Sequence, residues 1–496
     1  MTNSIYWYDF ETFGADPRRD RPAQFAGLRT DPDLNIIGEP LTLYCRPADD
    51  FLPQPEATLV TGITPQLAWE KGLPEVDFIG RINEEFARPG TCVAGYNNLR
   101  FDDEVTRSSL YRNFFDPYAR EWQNGNSRWD LIDVVRLTHA LRPEGIHWPR
   151  REDGHTSFRL EDLTRANGIA HEAAHDALAD VRATLALARL IKTRQPKLYD
   201  YVFQHRTKQR VAALLNVRHH RPVLHASAMY AAELGCIALV VPLARHPRNK
   251  NEIMVYDLRV DPRPFLDLSA KALHERLFTP QDELPAGRER VPVKTVHLNK
   301  SPVVVPAGTL TPQAAGRWRI DLGLCHQHLE IVKGAKAFIT NLSQVYQMRR
   351  FEPETNPDLM LYGGGFFSDA DRRRMDQVRQ TPPAELGKLE PAFEDPRLPE
   401  MLFRFRARNY PDTLSAAERA RWDDYRRTRL TDPAAGASIT LDNFNARLTA
   451  LRARPDLSAR DAALLDQLEA YRDLLLPSPP RPALLTSAHD DRAGLC

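Results

Sequence analysis

The pattern of apolar and polar positions changes twice along the chain and divides it into three regions. Residues 5–9 join aromatic and β-branched side chains and end in a carboxylate, which predicts a strand. Further strands are predicted at 41–45 and 91–96, and helical spacing of apolar residues follows over 75–86, 104–111 and 131–141. The strongest helical signal is the Ala/Leu-rich run 177–193, with Lys192 and Arg194 near the end where cations complement the helix dipole. Early strands followed by helices predict an α/β domain over residues 1–195. From 196 to 348 the pattern turns to short strands, at 234–242, 252–257, 292–298 and 303–305, separated by turn signals such as His246-Pro-Arg-Asn. That stretch predicts a small β-rich domain. A Pro/Gly-bearing connector then leads to charged amphipathic helices at 416–429, 438–454 and 459–475, a helical domain over 349–476. Residues 477–496 begin Pro-Ser-Pro-Pro-Arg-Pro, hold too little apolar surface to fold, and are expected to be a disordered tail.

Composition adds limits. A length of 496 residues fits about three domains, and 42% hydrophobic with 27% charged residues describes a soluble globular protein with ample core. Lys+Arg total 67 against 66 for Asp+Glu, a formal net charge of +1. That balance excludes a polybasic histone-like binder and a highly acidic solvated chain. It leaves nucleic acid open, because a sum hides charge separation between faces. Of the basic residues 56 are Arg and 11 Lys, which reflects GC-rich codon usage more than selection for phosphate forks. Five scattered cysteines without C-x-x-C spacing suggest neither a zinc site nor a disulfide framework. The N-terminus lacks the regions of a signal peptide, and no stretch approaches the roughly 20 apolar residues of a membrane span. A cytoplasmic protein without membrane contact is expected.

The sharpest local chemistry is Asp9-Phe10-Glu11 at the end of the first strand. Side chains at i and i+2 leave a strand on one face, so the two carboxylates converge and repel unless a cation intervenes. Hard cations such as magnesium or manganese suit carboxylate oxygens. Alone, Asp-x-Glu is more often a solvated strand end. Two further segments change that balance. Gly95-Tyr-Asn-Asn-Leu-Arg-Phe-Asp-Asp-Glu follows a predicted strand and places Asp102 near a helix N-terminus, and His175-Asp-Ala-Leu-Ala-Asp180 opens the Ala-rich helix. Each of these has a bland reading, as a first-turn carboxylate or a solvent-facing cap. Together they form a set of four carboxylates and a histidine.

The order Asp9-x-Glu11, Asp102, His175-x4-Asp180 resembles the DEDDh exonucleases, the proofreading superfamily with an RNase H-like fold. Within it the chain is similar to the bacterial single-strand-specific 3′→5′ exodeoxyribonucleases. Long stretches carry that likeness, among them residues 8–14 (YDFETFG), 95–107 (GYNNLRFDDEVTR), 126–136 (NSRWDLIDVVR), 291–303 (VPVKTVHLNKSPV) and 365–372 (GFFSDADR). It extends over about 475 residues and leaves out the tail. The resemblance implies an α/β RNase H-like exonuclease domain, then an SH3-like domain, then a helical domain closing a DNA groove for processive digestion. It implies release of 5′-mononucleotides in DNA repair and recombination, by hydrolysis through two Mg2+ ions per site with Mn2+ as a substitute. Such a pair of cations roughly 4 Å apart activates water and stabilises the leaving oxygen.

On these residues, Asp9, Glu11, Asp102 and Asp180 would hold the metal. His175 would be the general base, suited by an ordinary histidine pKa of about 6.5, with Glu11 and Asp102 completing the catalytic set. Arg159 matches a substrate-contacting arginine, and Glu11 also meets the terminal nucleotide. Arg107, Tyr118, Trp122, Arg136, Arg142 and Phe158 align with residues that line the DNA path, where aromatics stack bases and cations track phosphates. Tyr201, Lys208, Asn251, Lys294 and Tyr362 extend that path onto the accessory domains. The expected picture is an acidic knot flanked by a basic path. The resemblance further implies a monomer that docks the acidic C-terminal tail of single-stranded DNA-binding protein, with Arg142 and basic residues of the accessory domains as candidate contacts. Two departures stand out: Pro306 offers no backbone donor where the family often carries polar residues, and the Gly363-Gly-Gly linker is one residue longer. Two alternatives stay open, an RNA-degrading exonuclease of the same group and a catalytically silent DNA-binding or partner-docking protein.

Overall fold

The computed structural model describes residues 3–171, 175–348 and 352–475; the tail expected at 477–496 lies outside the described residues. Strand β1 (Ser4–Thr12) forms the centre of a five-stranded sheet with β2 (Pro22–Thr30), β3 (Leu41–Tyr44), β4 (Thr91–Gly95) and β5 (Ser127–Asp130), in the order β3-β2-β1-β4-β5. β1 runs antiparallel to β2 and parallel to β4, which pairs parallel with β5. Both faces of β1 are covered, as parallel strands require. Tyr6, Tyr8 and Phe10 pack with Phe25, Phe78, Phe86 and Val105 on one side, under the helices Glu75–Ala87 and Asp102–Arg112. Ile5 and Trp7 pack with Trp129, Val135, Val181 and Leu185 on the other, under Leu131–Leu141 and Ala177–Arg194.

A second sheet is antiparallel throughout: β6 (Val223–Ala226), β7 (Ile237–Arg245), β8 (Glu252–Asp257), β9 (Val293–His297) and β10 (Val303–Pro306), in the order β10-β6-β7-β8-β9. Pro306 ends the edge strand β10, where a missing donor is tolerated. Its apolar face merges with the core of the first sheet, so Leu224, Leu239 and Val241 belong to the same cluster as Leu137 and Ala140. The expected strand 234–242 sits three residues later, because Gly235 turns the chain with φ 71°. Helices Ala270–Phe278, Leu322–Gly334 and Lys336–Met348, which the pattern did not predict, cover this sheet.

Past the connector, helices Asp369–Gln380, Leu398–Asn409, Ala416–Thr431, Leu441–Arg452 and Ala459–Leu475 form the C-terminal region. Polar bonds fasten it to the first sheet's domain. Asn409 Oδ1 accepts from the Val76 amide at 3.0 Å, and Arg408 donates to the fully buried Asp50 at 2.8 Å.

Candidate nuclease site

Strand parity builds the first half of the site. Ile5 and Trp7 face the core beneath the Ala177–Arg194 helix, and Asp9 and Glu11 continue the same row beyond it. Pairing with β2 slips between Glu11 and Thr12, so the strand ends just past the carboxylates. Asp102 opens its helix, and its Oδ1 accepts from the Phe10 amide at 3.1 Å, tying that helix to β1 between the two acids. The approach depends on Gly95, where an added Cβ would lie 2.8 Å from the Tyr8 carbonyl oxygen.

The other half comes from the start of the Ala177–Arg194 helix. Asp176 caps it by accepting from the Ala179 amide at 3.2 Å, and Gln24 of β2 donates to Asp176 at 3.3 Å. His175, in the left-handed region at φ 67°, precedes the cap. Its amide donates to Asp180 Oδ2 at 3.3 Å, and its half-exposed ring places Nε2 3.3 Å from Glu161 Oε1. The second Asp180 oxygen is held by His171 Nε2, whose Nδ1 lies 3.2 Å from Thr164 Oγ1. Ligand-capable atoms of Glu11, His175 and Asp180 lie within 4.8 Å of one another.

Electrostatics mark this cluster. Burial pushes the Asp9 carboxyl well above the usual range, and Asp102, Glu11 and Asp180 push it further. Burial, then Asp180 and Asp102, raise Glu11 to about 9. Burial also raises Asp102 to about 8, outweighing the backbone donors that favour its charged form. Asp180 is raised by burial against the opposing bond from His171. Such a donor set, all oxygen with one imidazole, fits divalent cations that would supply the missing positive charge.

A cleft of about 2110 Å³, lined from all three regions, takes in Glu104 of the helix that Asp102 opens, while Asp9, Glu11, Asp102, His175 and Asp180 are not among its lining residues. Arg107, Tyr118, Trp122, Lys208, Asn251 and Tyr362 of the expected path line it. Trp122 and Tyr362 are exposed aromatics, and Phe366, 85% exposed and edge-on to Tyr118, joins them although sequence reasoning missed it. Arg136, Arg142, Phe158, Tyr201 and Lys294 are not among the lining residues. Arg136 donates to Asp133 and lies over the Phe158 ring. Tyr201 stacks on His205, and Arg142 spans the carbonyls of Leu141 and Thr309. Arg159 is exposed at the N-cap of the Leu160–Ala166 helix.

The expected basic path is corrected in its charge. Arg107 is buried and committed to Glu121, at 2.7 and 2.9 Å, and to Glu104 at 2.9 Å. Arg136 is paired with Asp133, and burial lowers the Lys294 ammonium to about 8 as it donates to Ser227. Chain carboxylates thus pair with two cations of that path, Arg107 and Arg136.

The sheet order and the acidic cluster at the end of its central strand define an RNase H-like exonuclease. An exonuclease family model matches residues 6–188, a model of the exonuclease I SH3-like domain residues 206–348, and one of the exonuclease I C-terminal domain residues 355–475. Exodeoxyribonuclease I of Escherichia coli is 50% identical over 430 residues, covering 86% of this chain and 90% of that protein. The structure of a moderately thermophilic exonuclease I from Methylocaldum szegediense superposes with a TM-score of 0.92 at 57% identity, covering 95% of this chain and 99% of its own. A zinc-bound E. coli exonuclease I complex with single-stranded DNA gives a TM-score of 0.90 at 47% identity, covering 96% and 100%. The chain belongs to the exodeoxyribonuclease I family.

Proposed function

We propose that the chain is a metal-dependent exonuclease that removes 5′-mononucleotides from the 3′ ends of single-stranded DNA. One observation carries the reading: Asp102 and Asp180 lie close enough to Asp9 and Glu11 to raise their carboxyls, with no cationic side chain among the strongest influences on Asp9, Glu11 and Asp102, and ligand-capable atoms of Glu11, His175 and Asp180 lie within 4.8 Å of one another. Asp9, Glu11, Asp102 and Asp180 would hold Mg2+, with Mn2+ as a substitute, and the bound ions would activate water and stabilise the leaving oxygen. His175 accepts a proton from the attacking water on its imidazole. Glu161 Oε1, 3.3 Å from Nε2, faces the charge that then forms. Arg159 grips a phosphate of the terminal nucleotide. Tyr118, Trp122 and Tyr362 offer stacking faces to unpaired bases, which a duplex keeps hidden.

The cleft walls favour DNA strands of some length over the short RNA fragments of the alternative reading. The same proposal places the protein in the cytoplasm, as a monomer acting in DNA repair. It also includes docking of the acidic tail of single-stranded DNA-binding protein at Arg142; a tail peptide that fails to bind at low salt removes that part. The central test is digestion of 3′- and 5′-labelled single strands with and without chelator. Mononucleotide release from the 3′ end, lost with chelator and restored by Mg2+, is expected. His175→Ala should retain DNA binding and lose most hydrolysis; near-normal turnover would sink the general-base role.

A further inference from the structure

A second polar network, outside the carboxylate cluster, joins the strand that carries Asp9 to both walls of the cleft. Tyr8 points to the opposite sheet face from Asp9, and its hydroxyl donates to Asp103 Oδ1 at 2.9 Å. Asp103 follows Asp102 in the helix and has no exposed surface. It also accepts from Arg120 Nη2 at 2.8 Å and, through its other oxygen, from Arg128 Nη1. Arg128, on β5, donates with its second terminal nitrogen to the Asn299 carbonyl at 2.6 Å, and that nitrogen lies 2.9 Å from Glu121 Oε2. Asn299 sits in the β9–β10 turn, which lines the cleft. Glu121 in turn holds Arg107, whose Nη1 donates to the Tyr362 hydroxyl at 3.0 Å from the opposite wall.

Two bridges therefore fix β1 against the helix, one from the strand's backbone and one from a side chain. Phe10 N to Asp102 Oδ1 is one, and Tyr8 Oη to Asp103 Oδ1 is the other. Each bridge touches an immediate neighbour of a cation-holding carboxylate, Tyr8 before Asp9 and Asp103 after Asp102. The distance between those carboxylates follows from how firmly the bridges hold. Arg128 ties this junction directly to the backbone of the SH3-like domain through the Asn299 carbonyl.

We infer that Tyr8, Asp103 and Arg128 act as a positioning relay by which the β9–β10 turn of the SH3-like domain sets the spacing of Asp9 and Asp102. The SH3-like domain then supports the cation site as well as the DNA path. Groups that orient metal ligands in this way commonly account for 10–100-fold in affinity or rate. The inference rests on the exonuclease reading for its rate effect and on the carboxylate cluster alone for its cation effect.

The test uses the full chain with two mild substitutions. Tyr8→Phe removes one hydroxyl and keeps the ring that packs on Phe86. Arg128→Lys keeps a positive charge beside Asp103 and loses the fork that reaches Asn299. Mn2+ binding to the DNA-free protein, followed by electron paramagnetic resonance, should weaken about tenfold in both. Turnover at saturating DNA should fall by a similar factor, equally on short and long oligomers, with the KM for DNA and its affinity in chelator unchanged. Unchanged Mn2+ binding and turnover in both variants, or a loss confined to long oligomers, overturns the relay. A drop in melting temperature with those readouts intact also overturns it, since that is what a merely structural role predicts. If the unsubstituted protein releases no nucleotide, the proposed function fails, and the Mn2+ arm still decides the relay.

Discussion

Asp102 and Asp103 are neighbours in the first turn of one helix, both buried, and they sit at opposite electrostatic extremes. Burial pushes Asp102 up to about 8, with further carboxylates nearby and no cationic side chain among its strongest influences. Burial acts on Asp103 as well, but Arg128, Arg120 and Arg107 outweigh it and hold its carboxyl well below the usual range. Depth in the protein therefore does not separate a structural acid from a chemical one. What separates them is whether the chain supplies the counter-charge. Asp103 has two arginines bonded to it; Asp102, Asp9 and Glu11 have no cationic side chain among their strongest influences, and in the proposed function cations from solution would supply that charge.

That contrast is broken most severely at Asp102. Asp102→Asn keeps the shape and removes the charge. A cation site contributes several kcal/mol of charge stabilisation, so a loss of about a thousandfold or more in nucleotide release is expected. Thermal stability of the metal-free protein should hold or rise, because repulsion within the cluster falls. Asp103→Asn should do the reverse in kind. It takes from Arg120 and Arg128 their closer anion and leaves them Glu121, at 3.8 and 2.9 Å, and breaking such a buried pair typically costs roughly 3–5 kcal/mol. Urea titration at neutral pH measures it. An Asp103→Asn protein as stable as the parent would show that Glu121 alone suffices for both arginines, and the comparison would collapse.

The sequence separates the two aspartates poorly, and the reason is physical. Asp-Asp-Glu at 102–104 reads as a run of first-turn acids, and only the order of motifs around it singles out Asp102. The partners of Asp103 lie 17 and 25 residues on, and an arginine between Ser127 and Trp129 looks the same whether it meets water or a buried carboxylate. The clustering of Glu11, His175 and Asp180 with Asp9 and Asp102 was legible because the proposed chemistry demands these residue types in a fixed order. His171 and Glu161, which hold Asp180 and face His175, had no such signature. The same divide runs through the fold. β1 announces itself by its run of aromatic and β-branched residues ending in a carboxylate, and the Leu131–Leu141 helix by helical spacing. β2, buried at every position and opened by Pro22, shows no alternation to read. The charge of the basic path was only partly legible for a related reason: counting arginines along the chain does not reveal the carboxylates that pair with them, as Glu104 and Glu121 do with Arg107 and Asp133 does with Arg136.

Glu75 extends the comparison to a third buried acid and gives it a pH signature. Burial would raise its carboxyl, but Arg112, bonded to it in the core, holds it down to about 2 from an ordinary 4.5. A depressed carboxylate stabilises the fold above its ordinary pKa and loses that contribution as pH falls through the folded value. Stability should therefore decline between about 4.5 and about 2, by roughly 3 kcal/mol from this group. Glu75→Gln should flatten that acid limb in denaturant titrations. An unchanged acid limb would mean that Arg112 does not favour the charged form.

The uncompensated cluster predicts the opposite limb. Carboxyls raised above their ordinary values favour the fold while protonated, so their contribution is complete at low pH. It is lost as pH rises through about 8 for Asp102 and about 9 for Glu11. The metal-free protein should accordingly lose stability between neutral pH and about 9, in the range where Asp103 and Glu75 stay ionised and contribute no slope. Divalent cations should remove this limb, because the ions take the place of the protons. At a hundredfold excess over the dissociation constant they should add about 2.7 kcal/mol, and add more at pH 9 than at pH 7. Melting curves at the two pH values, with chelator and with Mg2+, read this directly. Equal stabilisation at both would mean that the cluster is already ionised without metal, and that the difference between Asp102 and Asp103 lies in geometry and not in charge.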